Sequence, residues 1–176
     1  MKLFKKLAAI ALAAVLALSM VGCGMGSAID LKNEVLNAIE DDYHADNKVA
    51  TRTTTMDTAA ADLIESAATA GDAEDNEDTV KDLLKNNGTG DYIAIFAPYA
   101  QLSTEWMQQR YVEMMKWGLE RAIRNITNDN VYNDDDMLVK IGSPVISKND
   151  SIEMGAATGT IKGKNYLVLL VKKAAA

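Results

Sequence analysis

The amino-acid sequence predicts an α+β domain in which helices flank an antiparallel β-sheet. Three observations lead to this class. The segment from Ser103 to Thr127 carries apolar residues at steps of three and four, the period of one helix face. An apolar run over residues 92–97 precedes it and ends at Pro98. After it, the run Ser151–Ile161, a tight turn and the run Tyr166–Val171 form the pattern of a β-hairpin.

The beginning of the chain has the features of an export signal and is left out of the fold prediction. Three lysines precede an apolar run from Leu7 to Val21, which is shorter than the roughly 20 apolar residues of a transmembrane helix. The end of this run and the residues that follow it, Val21-Gly22-Cys23, resemble the bacterial lipobox, although Met20 stands where leucine is usual. The resemblance implies that residues 1–22 are a lipoprotein signal peptide and that Cys23 is diacylated.

An ordinary signal peptide with an incidental cysteine is the alternative. It is disfavoured because Cys23 is the only cysteine of the chain and lies at the cleavage position. In the lipobox interpretation, residues 23–27 are the acylated cysteine and a short tether, and residues 28–173 form a single domain close to the bilayer. We expect an extracytoplasmic protein that is anchored to the bacterial cell membrane through diacylglyceryl-Cys23.

The charge of the chain limits its partners. Residues 1–22 hold three of the 18 Lys and Arg and none of the 25 Asp and Glu, so the remaining 154 residues carry a net charge of −10. Such an acidic protein is unsuited to nucleic acid, and an anionic membrane surface would repel it. The acyl chains, rather than charge, would hold it at the membrane.

The segment ahead of the first apolar run predicts three helices. Apolar residues step by four from Leu31 to Tyr43, alanines line one side of the second helix, and a polar connector over residues 51–55 separates the two. The predicted bounds are Ser27 to about His44, Asp57 to Gly71, and a short helix around residues 80–84 that follows an acidic turn over 72–78 and ends at Asn87-Gly88.

The longest predicted element is an amphipathic helix of about two dozen residues, capped by Ser103 or Thr104. Its solvent-facing side is charged. The apolar stripe consists of Met107, Tyr111, Met114, Met115, Leu119, Ala122, Ile123 and Ile126, and the charged side of Arg110, Glu113, Glu120, Arg121 and Arg124.

Strands complete the predicted domain. Residues 128–136 form a polar loop, Met137–Ile141 is a strand that stops at Gly142-Ser143-Pro144, and the hairpin turns at residues 162–165. The second hairpin strand, Tyr166–Val171, is uniformly apolar, which is typical of a strand buried on both faces.

The order of elements and several phrases are similar to the CAP superfamily of secreted proteins (cysteine-rich secretory, antigen-type and plant pathogenesis-related proteins). Asp91-Tyr92-Ile93-Ala94 lies where that family has a Gly-Glu-Asn-Ile phrase. Trp117 with Arg124-Asn125-Ile126 resembles its Trp and its His-Arg-x-Asn-Ile segment, and the hairpin from Met154 to Leu170 resembles its closing strands. The resemblance implies an αβα sandwich over residues 28–172.

The same resemblance implies that the family's metal chemistry is missing. Its cavity is built from two His and two Glu, whereas His44 is the only histidine here and lies in another segment. Ala122 and Ile123 stand nearest the second family histidine. We therefore expect no metal site and no cofactor from the CAP cavity.

The residues themselves suggest no catalytic group. No Gly-x-Ser-x-Gly motif surrounds a serine, and His44 at a helix end is better explained by the helix dipole than by catalysis. The acidic segments 72–78 and 128–136 lack the spacing of a calcium loop, so solvated loops are the better interpretation.

Trp106, Arg110 and Trp117 are the candidate binding patch. The two tryptophans lie eleven residues apart, about three helical turns, on one side of the long helix. They could form an aromatic surface for a sugar, a peptide or a protein. The simpler interpretation is that both indoles flank the core beneath neighbouring helices.

The functional expectation is a non-catalytic binding module of degenerate CAP type. Its partner would be a protein, a peptide or another ligand of the cell envelope. Two alternatives stay open: a cell-envelope hydrolase that uses carboxylates, and a small lipid-binding carrier.

Overall fold

The computed structural model describes residues 28–70, 92–100, 102, 104–124, 131–134, 137–141 and 146–175. Helices and strands are both present, in a mixed α/β arrangement. In chain order the elements are helix α1 (Ala28–Ala45), strand β1 (Ala50–Arg52), helix α2 (Thr54–Thr69), strand β2 (Ile93–Pro98), helix α3 (Glu105–Arg124), and strands β3 (Val131–Asp134), β4 (Met137–Ile141), β5 (Ile152–Ile161) and β6 (Lys164–Lys173). The predicted short helix near residues 80–84, the acidic turn over 72–78 and the Ser27 cap lie outside the described residues.

The described strands form one sheet in the order β1-β5-β6-β2-β4-β3. Four of the pairings are antiparallel, but β1 pairs with β5 in parallel, so the prediction of a purely antiparallel sheet is wrong at this edge. The parallel direction is possible because the connection between the two strands is long: Arg52 of β1 pairs with Met154 of β5, far along the chain. A tight turn forces two strands to run antiparallel, whereas a long connection does not.

Strand β3 contradicts the prediction that residues 128–136 form a polar loop. Val131 pairs with Lys140 and Asp134 with Met137, which makes β3 the other edge of the sheet. Edge strands are often polar, and their pairing depends on the neighbouring strand more than on their own hydrophobicity.

The sheet is covered on both faces by helices. In β2, Ile93, Ile95 and Ala97 belong to a core that includes α1 and α3, whereas Ala94 and Phe96 belong to a core with α2. Strand β6 alternates in the same way, and its residues from Tyr166 to Val171 are all buried. The apolar hairpin strand is therefore buried on both faces, as its composition predicts.

Helix α2 begins earlier than predicted. Thr53, in extended backbone conformation, accepts a hydrogen bond from the Met56 N–H at its Oγ1 (3.2 Å) and caps the helix. Asp57, predicted as the first residue, lies in the first turn, where an acidic side chain favours the positive end of the helix dipole. The helix runs close to β5: a Cβ added at Gly155 would lie 2.4 Å from the Asp57 nitrogen.

The conformation of the hairpin turn explains why Gly163 occupies it. Lys162 and Gly163 have φ values of 49° and 85°, and two successive residues with positive φ are the signature of the tight turn that suits twisted strands. Glycine adopts this conformation without steric cost.

Candidate functional site

Helix α3 carries the predicted binding patch on its outer side. Thr104 Oγ1 accepts a hydrogen bond from the Met107 N–H (3.2 Å), and the helix then continues for 20 residues to Arg124. The buried side packs on the sheet, where the Tyr111 hydroxyl donates to the Ala97 carbonyl (2.9 Å). The buried residues are Tyr111, Val112, Met115, Gly118, Leu119, Ala122 and Ile123.

Both tryptophans lie on the opposite side. Trp106 is 63 % exposed and Trp117 is 61 % exposed, so the interpretation that they flank the core is wrong. The physical reason is helical geometry. Residues eleven positions apart point in nearly the same direction around the helix axis, and the buried Met115 points in the opposite direction from both tryptophans. In the described part of the chain, the only other exposed large apolar residue is Val49.

The structure separates the three residues of the patch. The Arg110 guanidinium lies 5.5 Å from the centre of the Trp106 ring, so these two side chains form one cation–π pair. Trp117 lies eleven residues after Trp106, about 16 Å further along the helix axis. There it borders a cleft that neither Trp106 nor Arg110 lines.

The cleft has a volume of about 770 Å³, within the range of roughly 300–1,000 Å³ that is usual for small-molecule sites. It lies between the end of α1, the C-terminal half of α3 and two loops, residues 46–48 and 148–149. No local pattern in the sequence predicts this cleft.

The apolar part of the cleft is the outer surface of the core. Ile39, Tyr43, Leu119 and Ile123 line it, and each is less than a tenth exposed. Burial raises the pKa of Tyr43 to about 12, with smaller contributions from the nearby carboxylates of Asp150 and Asp46.

Ion pairs form much of the rest of the lining. Lys116 Nζ lies 3.0 Å from an Asp42 oxygen and 3.2 Å from a Glu113 oxygen, which connects α1 to α3. Burial alone would lower the pKa of Lys116, but the hydrogen bonds and charges of these two carboxylates outweigh it and raise the pKa. Arg124 pairs with Glu120 one turn further along.

Lys48 holds the two loops of the cleft together. Its Nζ pairs with Asp46 (2.9 Å), lies 4.6 Å from the centre of the Tyr43 ring and donates to the Lys148 carbonyl (2.9 Å). The loop residue Asn47 adopts a left-handed backbone conformation, with φ of 57°, which asparagine tolerates better than most residues.

Asp150 orders the second loop just behind the cleft. One carboxylate oxygen pairs with Lys173 (2.8 Å) and the other accepts from the Ser147 N–H (2.8 Å). The hydrogen bond from Lys173, followed by that from the Ser147 N–H, lowers the pKa of Asp150.

This arrangement offers a ligand an apolar surface surrounded by charged and polar side chains. The carboxylates of Asp42 and Glu113, both more than half exposed, share the Lys116 ammonium. His44 is exposed in the last turn of α1 and does not line the cleft. Among the described residues, no three His, Cys, Asp or Glu side chains are placed to hold a metal ion.

Cys23, the predicted lipid anchor, lies outside the described residues. None of the helices within the described ranges combines the length and hydropathy of a membrane-crossing segment. No family model, no curated protein and no solved structure matches the chain.

Proposed function

We propose that the protein is a lipid-anchored, extracytoplasmic binding module without catalytic activity, and that it binds its ligand at Trp117 and the adjoining cleft. The exposed Trp117 at the rim of the cleft carries the proposal. A large apolar ring left in water forgoes about 25 cal/mol per Å² of the free energy that burial would provide, and exposed aromatic residues beside a concavity are typical of binding sites. Trp106 is left out because Arg110 already lies against its ring.

The CAP-like architecture belongs to the same proposal. Its support is the layering, with α1 and α3 on one face of the sheet and α2 on the other, and with the β5–β6 hairpin inside the sheet. The absence of a second histidine from the sequence supports a module that has lost the metal chemistry of that family.

The cleft favours binding over the two alternatives. A carboxylate hydrolase needs two carboxyl groups that face the substrate, whereas the four acids of the lining are all held in ion pairs with its basic residues. A carrier for acyl chains needs an apolar cavity, whereas eight of the fifteen residues that line this cleft are charged.

The anchor is tested by metabolic labelling with radioactive palmitate in a bacterial host. The wild-type protein is expected to be labelled and to sediment with membranes, because an acyl-modified Cys23 holds it there. Cys23→Ser should lose the label, whereas Ser27→Ala, a matched change in the tether, should keep it. Mature protein with a free thiol at Cys23 would contradict the proposal.

The binding site is tested by cosedimentation of the detergent-solubilised protein with delipidated cell envelopes. We expect the wild type and Trp106→Ala to sediment and Trp117→Ala to stay in solution, because only Trp117 borders the cleft. No soluble envelope fragments should be released. Equal retention of the two variants, or release of fragments, would contradict a non-catalytic site at Trp117.

A further inference from the structure

The cleft beside Trp117 joins an aromatic surface to a polar lining. Trp117 presents a flat ring that is 61 % exposed, and the apolar residues Ile39 and Leu119 lie beneath the cleft. The face of an aromatic ring carries partial negative charge and attracts the weakly positive edges of C–H bonds. A ligand that fits this part has one flat face of C–H groups.

The charges of the cleft cancel. Its acidic residues are matched by an equal number of basic ones, although the whole chain has a net charge of −7. Three of the cations are held in ion pairs with acids of the lining, so the cleft favours neither an anion nor a cation. The acidic members are Asp42, Asp46, Glu113 and Glu120, and the basic members are Lys48, Lys116, Arg124 and Lys148.

The same side chains retain capacity for hydrogen bonding. An ion-paired carboxylate keeps free lone pairs, the Lys116 ammonium has three donors for two carboxylate partners, and the amides of Asn47 and Asn149 can both donate and accept. A hydroxyl group also donates and accepts. A net-neutral ligand rich in hydroxyl groups therefore matches the lining.

From these three properties we propose that the cleft binds a neutral glycan, with the C–H face of one pyranose ring stacked on Trp117 and its hydroxyl groups bonded to the paired charges and to Asn47 and Asn149. A pyranose combines one apolar face with a rim of hydroxyl groups, and a volume of about 770 Å³ admits more than one ring. The inference rests on the proposed function, in which this site binds its ligand without cleaving it.

Tryptophan fluorescence provides the test, because Trp106 and Trp117 are the only tryptophans of the chain. The full chain is purified in a detergent without a sugar headgroup. In Trp106→Phe, Trp117 is the sole reporter, and titration with chitotetraose or maltotetraose is expected to give a saturable change in its emission. In Trp117→Phe, the remaining Trp106 should give no change with either sugar.

Isothermal titration with the better sugar adds a second readout. Trp117→Ala is expected to weaken binding about tenfold or more, whereas Trp106→Ala should bind as the wild type does. Raising the salt concentration should leave the affinity unchanged, because the ligand is neutral.

Three results would overturn the inference. They are the absence of a saturable change with both sugars, an equal loss of affinity in the two alanine variants, and binding of a zwitterionic alanine–glutamate–lysine peptide in place of the sugars. If envelope sedimentation still depended on Trp117 in such a case, only the glycan assignment would fail and the proposed binding module would stand.

Discussion

Tyr43 is a phenol at the end of α1 whose side chain meets three different groups. It is buried to 8 % exposure, Lys48 lies over its ring, and Asp150 and Asp46 lie near enough to oppose its ionisation. Burial, followed by the charges of Asp150 and Asp46, raises its pKa from 10.0 to about 12. The folded state therefore holds the phenolic proton more tightly than the unfolded chain does.

This difference predicts a loss of stability in alkali. Between pH 10 and pH 12 the unfolded chain releases the Tyr43 proton while the folded protein keeps it, so the contribution is complete below pH 10 and lost as the pH rises toward 12. At pH 11 the loss of unfolding free energy from Tyr43 is on the order of 1 kcal/mol. Urea unfolding at pH 8 and pH 11 measures it.

Tyr43→Phe is the control, because it keeps the ring under Lys48 and removes the ionisable group. Between the two pH values its free energy of unfolding should fall less than that of the wild type, by a margin on the order of 1 kcal/mol. Burial also raises the pKa of Tyr99 and Tyr111, and these contributions are common to both proteins. Identical pH dependence of the two proteins would show that Tyr43 ionises equally in both states.

At the scale of elements, α2 is joined to β5 by backbone contacts rather than by apolar packing alone. Strand β1 ends at Arg52, and the Thr53 N–H still donates to the Met154 carbonyl (3.0 Å). Beyond that point the Asp57 side chain, rather than the backbone of a strand, supplies the acceptor for β5: its Oδ1 accepts a hydrogen bond from the Ala156 N–H (2.8 Å). Its Oδ2 pairs with Lys32 of α1 (2.9 Å).

Removal of this side chain is expected to be costly. Asp57→Ala leaves the Ala156 N–H without its acceptor and should lower the free energy of unfolding by about 1–3 kcal/mol. Asp57→Asn keeps an oxygen for that N–H and loses a partly exposed ion pair, which contributes about 0–1 kcal/mol. Urea unfolding followed by circular dichroism compares the two. Equal costs would mean that the ion pair with Lys32 of α1, and not the hydrogen bond to Ala156 of β5, accounts for the contribution of Asp57 to stability.

At the scale of the whole molecule, the elements with a strong pattern of their own could be predicted. Local residue spacing predicts three of them: the helix around Met115, the strand from Ile93 to Ala97, and the hairpin with its turn at Gly163. Strands β1 and β3 could not be predicted, because their partners decide their structure: β1 depends on β5, which is distant in sequence, and β3 is a polar edge.

The candidate site follows the same division. The outer position of Trp117 was available from the sequence, since it shares a helix stripe with Glu113 and Glu120 rather than with Met115. The general preference of tryptophan for burial favours the interpretation that the structure contradicts. The cleft itself had no local signal, because it forms only where the end of α1 meets α3 and the loop around Lys148.

The contact of Lys116 with both Asp42 and Glu113 has a consequence for recognition. Lys116 of α3 pairs with Asp42 of α1, and the two helices share one apolar core, so they are already joined before any ligand binds. The site is therefore preorganised, and a bound ligand need not spend affinity on drawing its walls together. Association should show little dependence on ligand-induced closure, and the backbone of α1 and α3 should keep its arrangement when the cleft is occupied.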